Sequence, residues 1–246
     1  MKLSIKKILV PTDFSDLSLD ALDGAVFMAK KLGAEIYLLH ILENSSFNST
    51  IEKVLMLSRN RDGVLNEAIV HQFKEIADSI KKKSGITVHT ITSSGRIHQA
   101  IAEKAAEVGA DIVVMGTHGV SGFNKLLLGT NANRVISNSD CPVITFTENP
   151  TNPGLDKIIL PLDLSRETRE KVDAAIQLAK NFNASIDVIE IMNTDDAAVV
   201  KKLNLQLKQV ENYIKEVNVP CVAKIIQGND PTEVITTYAK ENKGDL

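Results

Sequence analysis

The chain has 246 residues, with 28 lysines and arginines against 31 aspartates and glutamates and a formal charge of −3. That balance leaves no electrostatic footprint for nucleic acid, and no apolar run approaches the roughly 20 residues of a membrane helix, so neither nucleic acid nor membrane is expected as a partner. Hydrophobic residues make up 43% and aromatics only 4%, which suits a parallel α/β core of Ile, Leu, Val and Ala in one or two domains.

The basic start, Met1 to Val10, runs directly into Pro11-Thr12-Asp13. It reads as a first strand from Ile5 to Val10, not as a signal peptide. Asp16 to Leu32 is helical by period, with Leu19, Leu22, Val26 and Ala29 on one face and Gly33 as the stop. Ile36 to Leu42 is a second strand. From Glu43 to about Asp62 the chain is polar and irregular, and a long helix follows from about Asn66 to Lys83. Its Lys81-Lys82-Lys83 end near Gly85 reads as a solvated terminus. Thr87 to Ile91 is a third strand, Ile97 to Val108 a helix stopped by Gly109, and Asp111 to Met115 a fourth strand. Thr130 to Asn138 is a helix, and Cys141-Pro142 leads into a last strand, Val143 to Thr147. Strands alternating with helices predict βαβ units and a parallel sheet. Cys141 and Cys221, the two cysteines, form no zinc or redox motif. They are expected as free thiols in a reducing cytoplasm.

Asn149 to Gly154 is a linker by composition, and beyond it the pattern restarts. Lys157-Ile158-Ile159-Leu160-Pro161-Leu162-Asp163 matches Lys7-Ile8-Leu9-Val10-Pro11-Thr12-Asp13 at a shift of 150. The same shift pairs Ala29-Lys30 with Ala179-Lys180 and Ile36 with Ile186. Gly95 then corresponds to Gly228, and Asp111 to Asp245. These matches predict a tandem duplication: a first domain over 1–148, a linker over 149–154 and an incomplete second domain over 155–246. An incomplete sheet leaves a strand edge exposed, so the first copy or another subunit is expected to cover it.

The chemistry concentrates between Val113 and Asn131. An apolar run ends at Gly116, Gly119 follows, and Gly129-Thr130 precedes a helical pattern. The first amides of a helix lack intrahelical partners and carry the positive end of its dipole, so such a site attracts phosphate. Glycines let backbone approach an anion and adopt positive φ. No G-K-[ST] follows a glycine run, which excludes a Walker A loop. Gly116, Gly119 and Gly122 contain no G-x-G, which excludes the dinucleotide fingerprint. A glycine-containing turn without ligand is the competing reading. Asp13 could also serve only as a helix N-cap. His40 and His89 fall on strands, His71 and His98 on helices, and none suggests a metal cluster; no metal site and no catalytic residue is assigned. Arg96, after Gly95, is a further phosphate candidate.

The glycine spacing together with Ile8-Leu9-Val10-Pro11-Thr12-Asp13-Phe14-Ser15 resembles the universal stress protein family, in tandem form. The resemblance implies a five-stranded parallel sheet in order 3-2-1-4-5 with helices on both faces, repeated in an incomplete second copy. Strands 1 and 4 are then neighbours, and ligands of open α/β sheets sit at such a switch point. The family's roles imply that Asp13 contacts adenosine, that Pro11, Thr12 and Ile41 line the adenine slot and that Met115 packs on the base. They place Gly116, Gly119, Gly129 and Thr130 around ribose and phosphates, with His118 in reach of a phosphate. Asn131 and Ala132 depart from the family pattern at the start of the helix. The implied ligand is ATP, with AMP and ADP as alternatives, and Mg²⁺ carried by the phosphates. The implied function is a stress-response regulator with one nucleotide site per chain, because Asp163 repeats Asp13 without a following loop. A slow ATPase and a scaffold that binds no nucleotide are the alternatives. A homodimer through Val143 to Phe146 is expected, with a protein partner that the sequence does not identify.

Overall fold

The structure is a computed structural model that describes residues 5–42, 61–117, 129–146, 154–163, 168–194 and 196–246. The chain divides into two compact units, residues 4–151 and 152–246. In the first unit the elements are β1 (Lys7–Pro11), α1 (Asp16–Leu32), β2 (Glu35–Leu42), α2 (Arg61–Ser84), β3 (Val88–Ser94), α3 (Ile97–Val108), β4 (Ile112–Gly116), α4 (Thr130–Asn138) and β5 (Val143–Phe146). The strands form a parallel sheet in the order β3-β2-β1-β4-β5, as the resemblance implied.

Local chemistry sets the element ends. The Ser15 side chain caps α1 by accepting from Ser18 N–H, and Gly33, at φ 64°, closes the helix in the left-handed conformation. Gly109 does the same for α3, a conformation that costs glycine least. Helix α2 departs from the expected boundary: it begins at Arg61, inside the stretch read as irregular. Polar residues and Gly63 masked its first turns, because glycine lowers helix propensity without forbidding the helix.

The core fills both faces of the sheet. One face collects Leu9, Leu39, Val113 and Met115 with Ile101 and Ala105 of α3 and Ala132 and Val135 of α4. Alternation along each strand turns the intervening residues to the opposite face, where α1 packs on β4 and β5. Gly24, inside α1, makes room for the Phe146 ring; a β-carbon there would lie 2.4 Å from it. The N-terminal end of β1 is stitched to β4 by Asp111, whose Oδ2 accepts from the amides of Lys6 (2.7 Å) and Lys7 (2.9 Å).

The second unit contains β6 (Lys157–Leu162), α5 (Thr168–Phe182), β7 (Ser185–Met192), α6 (Ala197–Glu216), β8 (Cys221–Gln227) and α7 (Pro231–Glu241). Its parallel sheet has the order β6-β7-β8. Details of the first unit recur at matching positions. Asp245 Oδ2 accepts from the amides of Asp156 and Lys157, as Asp111 does at Lys6 and Lys7. Gly228 N–H donates to Met192 O as Gly95 N–H donates to Leu42 O. Asn183, Asn218 and Lys243 take positive φ where Gly33, Gly85 and Gly109 take it. Asp245 and Leu246 also hydrogen-bond along the outer edge of β6, at Lys157 and Ile159. The next nitrogen on that edge is that of Pro161, which has no hydrogen to donate. A proline there limits further pairing.

Cys141 is half-buried and Cys221 buried, and both are free thiols. Burial pushes both thiols up, that of Cys221 to about 11, which disfavours the reactive thiolate. Among the described residues no helix is long and apolar enough to cross a membrane, and no three His, Cys, Asp or Glu side chains group as a metal site.

Candidate functional site

Strands β1 and β4 pair for only two residues, Ile8↔Ile112 and Leu9↔Val113. Each then continues with its outer neighbour: β1 pairs with β2 as far as Pro11↔Leu39, and β4 with β5 as far as Gly116↔Phe146. Proline explains the separation. Thr12 N–H donates to Leu39 O on the β2 side, whereas Lys7 O accepts from Asp111 N–H on the β4 side. Backbone groups alternate along a strand, so the nitrogen of Pro11 points to β4, where it has no hydrogen to donate. The ladder stops there, and a fork opens at the carboxyl end of the sheet. It lies at the topological switch between β1 and β4, where open α/β sheets take ligands.

The expected site residues sort by face. Pro11, Ile41 and Met115 share the parity of Leu9, Leu39 and Val113, and so the face on which α3 and α4 pack. Met115 is buried in that cluster, and Ile41 packs against it half-buried. Helix α4 begins beside them, because Gly129 N–H donates to Thr117 O (2.8 Å) and Thr117 N–H to Phe146 O (3.0 Å). Thr117, buried at 8% exposure, thus ties the departure of the chain from β4 to its return at α4. No motif in the sequence singled this residue out. Thr130 and Asn131, the first two residues of α4, are exposed. Gly129 is the N-cap at φ −60° and gives no side-chain bond to the helix amides. Its counterpart on α3, Arg96, gives none either, whereas Ser15, Asp196 and Asp230 cap α1, α6 and α7 with their side chains.

Thr12 and Gly116 fall on the opposite face, toward α1. Thr12 is 6% exposed, and its polar groups are engaged within the unit. Its Oγ1 lies 2.9 Å from Ser18 Oγ and accepts from Phe14 N–H, and its carbonyl oxygen lies 2.8 Å from His40 Nδ1. A carbonyl only accepts, so Nδ1 carries the proton. Gly116 is the last residue of β4 and lies outside the positive-φ set. A β-carbon there would lie 2.9 Å from Leu17 Cγ and 3.2 Å from the Leu17 carbonyl oxygen. Close approach of α1 therefore accounts for this glycine.

Asp13 is exposed at the tip of β1. Its Oδ1 accepts from the amide and hydroxyl of Ser15. The helix cap is Ser15, so the reading of Asp13 as a simple N-cap does not hold. Phe14, next to it, has φ 62°, an uncommon conformation for a bulky residue. Its ring lies 4.8 Å from His40 and 5.6 Å from Phe73, centroid to centroid. His118 and Gly119 lie outside the described residues.

The five-stranded parallel sheet, with its fork at the switch between β1 and β4, defines an open α/β domain. The universal stress protein family matches residues 4–146, and the chain belongs to that family. Universal stress protein MJ0531 of Methanocaldococcus jannaschii is 35% identical over 142 residues, 56% of this chain and 80% of that protein. Universal stress protein YxiE of Bacillus subtilis is 30% identical over 142 residues, 56% of this chain and 96% of that protein. A universal stress protein structure from Archaeoglobus fulgidus covers 98% of this chain and 84% of its own at a TM-score of 0.77 and 21% identity, a likeness of fold.

Proposed function

We propose that the first unit binds an adenine nucleotide, ATP with its Mg²⁺, in the fork between β1 and β4, and that the protein acts as a stress-response regulator. The observation that carries this reading is the fork itself. Pro11 ends the β1–β4 ladder, Asp13 stands at one tip, and the other tip leads through Thr117 to a helix start whose N-cap residue, Gly129, offers its amides no side-chain cap. Amides of this kind, at the positive end of a helix dipole, suit phosphate. Pro11, Ile41 and Met115 offer an apolar wall for the base, Asp13 an acceptor for ribose hydroxyls, and Gly129, Thr130 and Asn131 the phosphate end. His118 and Gly119 complete the phosphate end in this reading. Thr12 and Gly116 act behind the site, holding α1 against the strand tips.

The second unit is, on the same reading, a second copy of the domain. The recurring Asp111/Asp245 stitch and the shared positive-φ positions support the duplication. A cytoplasmic homodimer paired through the β5 edge belongs to this proposal.

Thermal unfolding of the purified protein with ATP and Mg²⁺ tests the binding. Ligand at a hundred times its Kd stabilises by about 2.7 kcal/mol. An unchanged melting temperature at millimolar nucleotide is the outcome that removes the proposal. Pro11→Val tests the fork. The new N–H can extend the ladder toward β4, so nucleotide affinity should fall by about tenfold or more, about 1.4 kcal/mol, without loss of stability. Unaltered affinity in this variant would place the ligand elsewhere.

A further inference from the structure

We propose that Glu190 and Asp163 form a proton-operated latch at the carboxyl end of β6: protonated Glu190 holds that strand end, and ionised Glu190 releases it. The register pairs Pro11↔Leu39 and Pro161↔Ile189 are equivalent, so Glu190 occupies the place of His40, and Asp163 that of Asp13. In the first unit the His40 ring donates from Nδ1 to the Thr12 carbonyl. Leu162 is the register partner of Glu190, so in the latch its carbonyl takes the part that the Thr12 carbonyl plays for His40. A carboxylate cannot donate to a carbonyl; a carboxylic acid can.

The surroundings favour the acid form. Glu190 is 5% exposed, and its Oε2 is buried without a hydrogen bond. A buried carboxylate lacking a partner is costly. Burial and, after it, the charge of Asp163 push the Glu190 carboxyl up to about 7. Other described charges are directed elsewhere. Asp187, of opposite parity on β7, accepts from Tyr238 and pairs with Lys157, and Lys224 of β8 lies over the Tyr238 ring. On α6, Glu211 pairs with both Lys208 and Lys215. On α5, Lys171, Asp173 and Lys180 are exposed.

A carboxyl whose pKa is raised by folding favours the folded state most fully below its unfolded value. It loses that contribution as pH rises through the folded value, here between about pH 4.5 and about pH 7. Hydrogen exchange of β6 and β7 amides in the intact chain, corrected for intrinsic rates, reads the latch. Their opening constants should rise about tenfold from pH 6 to pH 8, while those of β1 and β2 do not follow. Glu190→Gln keeps a donor and cannot ionise, so its β6 amides should show no such rise. The same rise in Glu190→Gln overturns the latch, as does a rise abolished by millimolar Mg²⁺ or Ca²⁺, which would mean a bound cation rather than a proton. If Glu190→Gln does not fold, NMR titration of the Glu190 carboxyl carbon in the natural chain decides. A midpoint near 7 that falls in Asp163→Asn supports the latch, and an ordinary carboxylate midpoint overturns it.

Discussion

Gly116→Val should destabilise the first unit by about 2–3 kcal/mol, with or without nucleotide. The atoms in the way are part of the scaffold. A β-carbon at residue 116 would sit 2.9 Å from Leu17 Cγ and 3.2 Å from the Leu17 carbonyl oxygen. A side-chain tip can rotate away, but a backbone oxygen in the first turn of α1 moves only with the helix. That turn carries the Ser15 cap and the Thr12–Ser18 hydrogen bond, so a shift would disturb both. Denaturant unfolding followed by a first-unit probe checks the magnitude. A fully stable variant would mean that α1 does not pack on β4 as described. Because the cost falls on the scaffold, loss of nucleotide binding in this variant would not by itself locate the ligand.

Asp13→Ala separates site from scaffold. The side chain is exposed and bonds to Ser15, two residues further along the chain, so unfolding stability should fall by about 1 kcal/mol or less. Nucleotide binding should suffer far more. A charged acceptor for ribose hydroxyls contributes about 1.5–3 kcal/mol, so affinity should weaken by roughly tenfold to a hundredfold. The stabilisation by ATP should largely disappear at nucleotide concentrations that saturate the natural protein. Retained stabilisation would move Asp13 out of the site.

Much of the fold was legible because its signals are local. Apolar runs bounded by Pro11, Gly33, Gly109 and Pro142 announced strands and helices, and α1, α3 and α4 span the residues their periodicity indicated. The start of α2 was not legible, since Arg61-Asp62-Gly63 carries no apolar stripe. The site was legible in outline only. Glycine spacing drew attention to Gly116, but its physical reason is Leu17, about a hundred residues away in sequence, and no local pattern reports that contact. Thr12 read as a slot residue through the family resemblance alone. Its partners, Ser18 and His40, lie on other elements and became visible only with the strands in register. Proline was the opposite case. Pro11 read as a strand terminator, and the structure adds which neighbour loses a hydrogen bond by it.

The repeat carried information of a different kind. Matching the two halves at a shift of 150 aligned His40 with Glu190. A polar residue at a buried strand position needs a partner, and the two units meet that need differently. His40 has a carbonyl, whereas one oxygen of Glu190 makes no hydrogen bond. The backbone hydrogen bonds around Gly95 and Gly228 are alike, while the side chains at the two strand positions differ in chemistry.

Isothermal titration of the intact chain with ATP in the presence of Mg²⁺ decides whether the fork is a nucleotide site. Saturable binding of one nucleotide per chain is expected, weakened by roughly tenfold to a hundredfold in Asp13→Ala and kept in a variant altered at Asp163. Two nucleotides per chain, or no heat of binding at millimolar ATP, would contradict it.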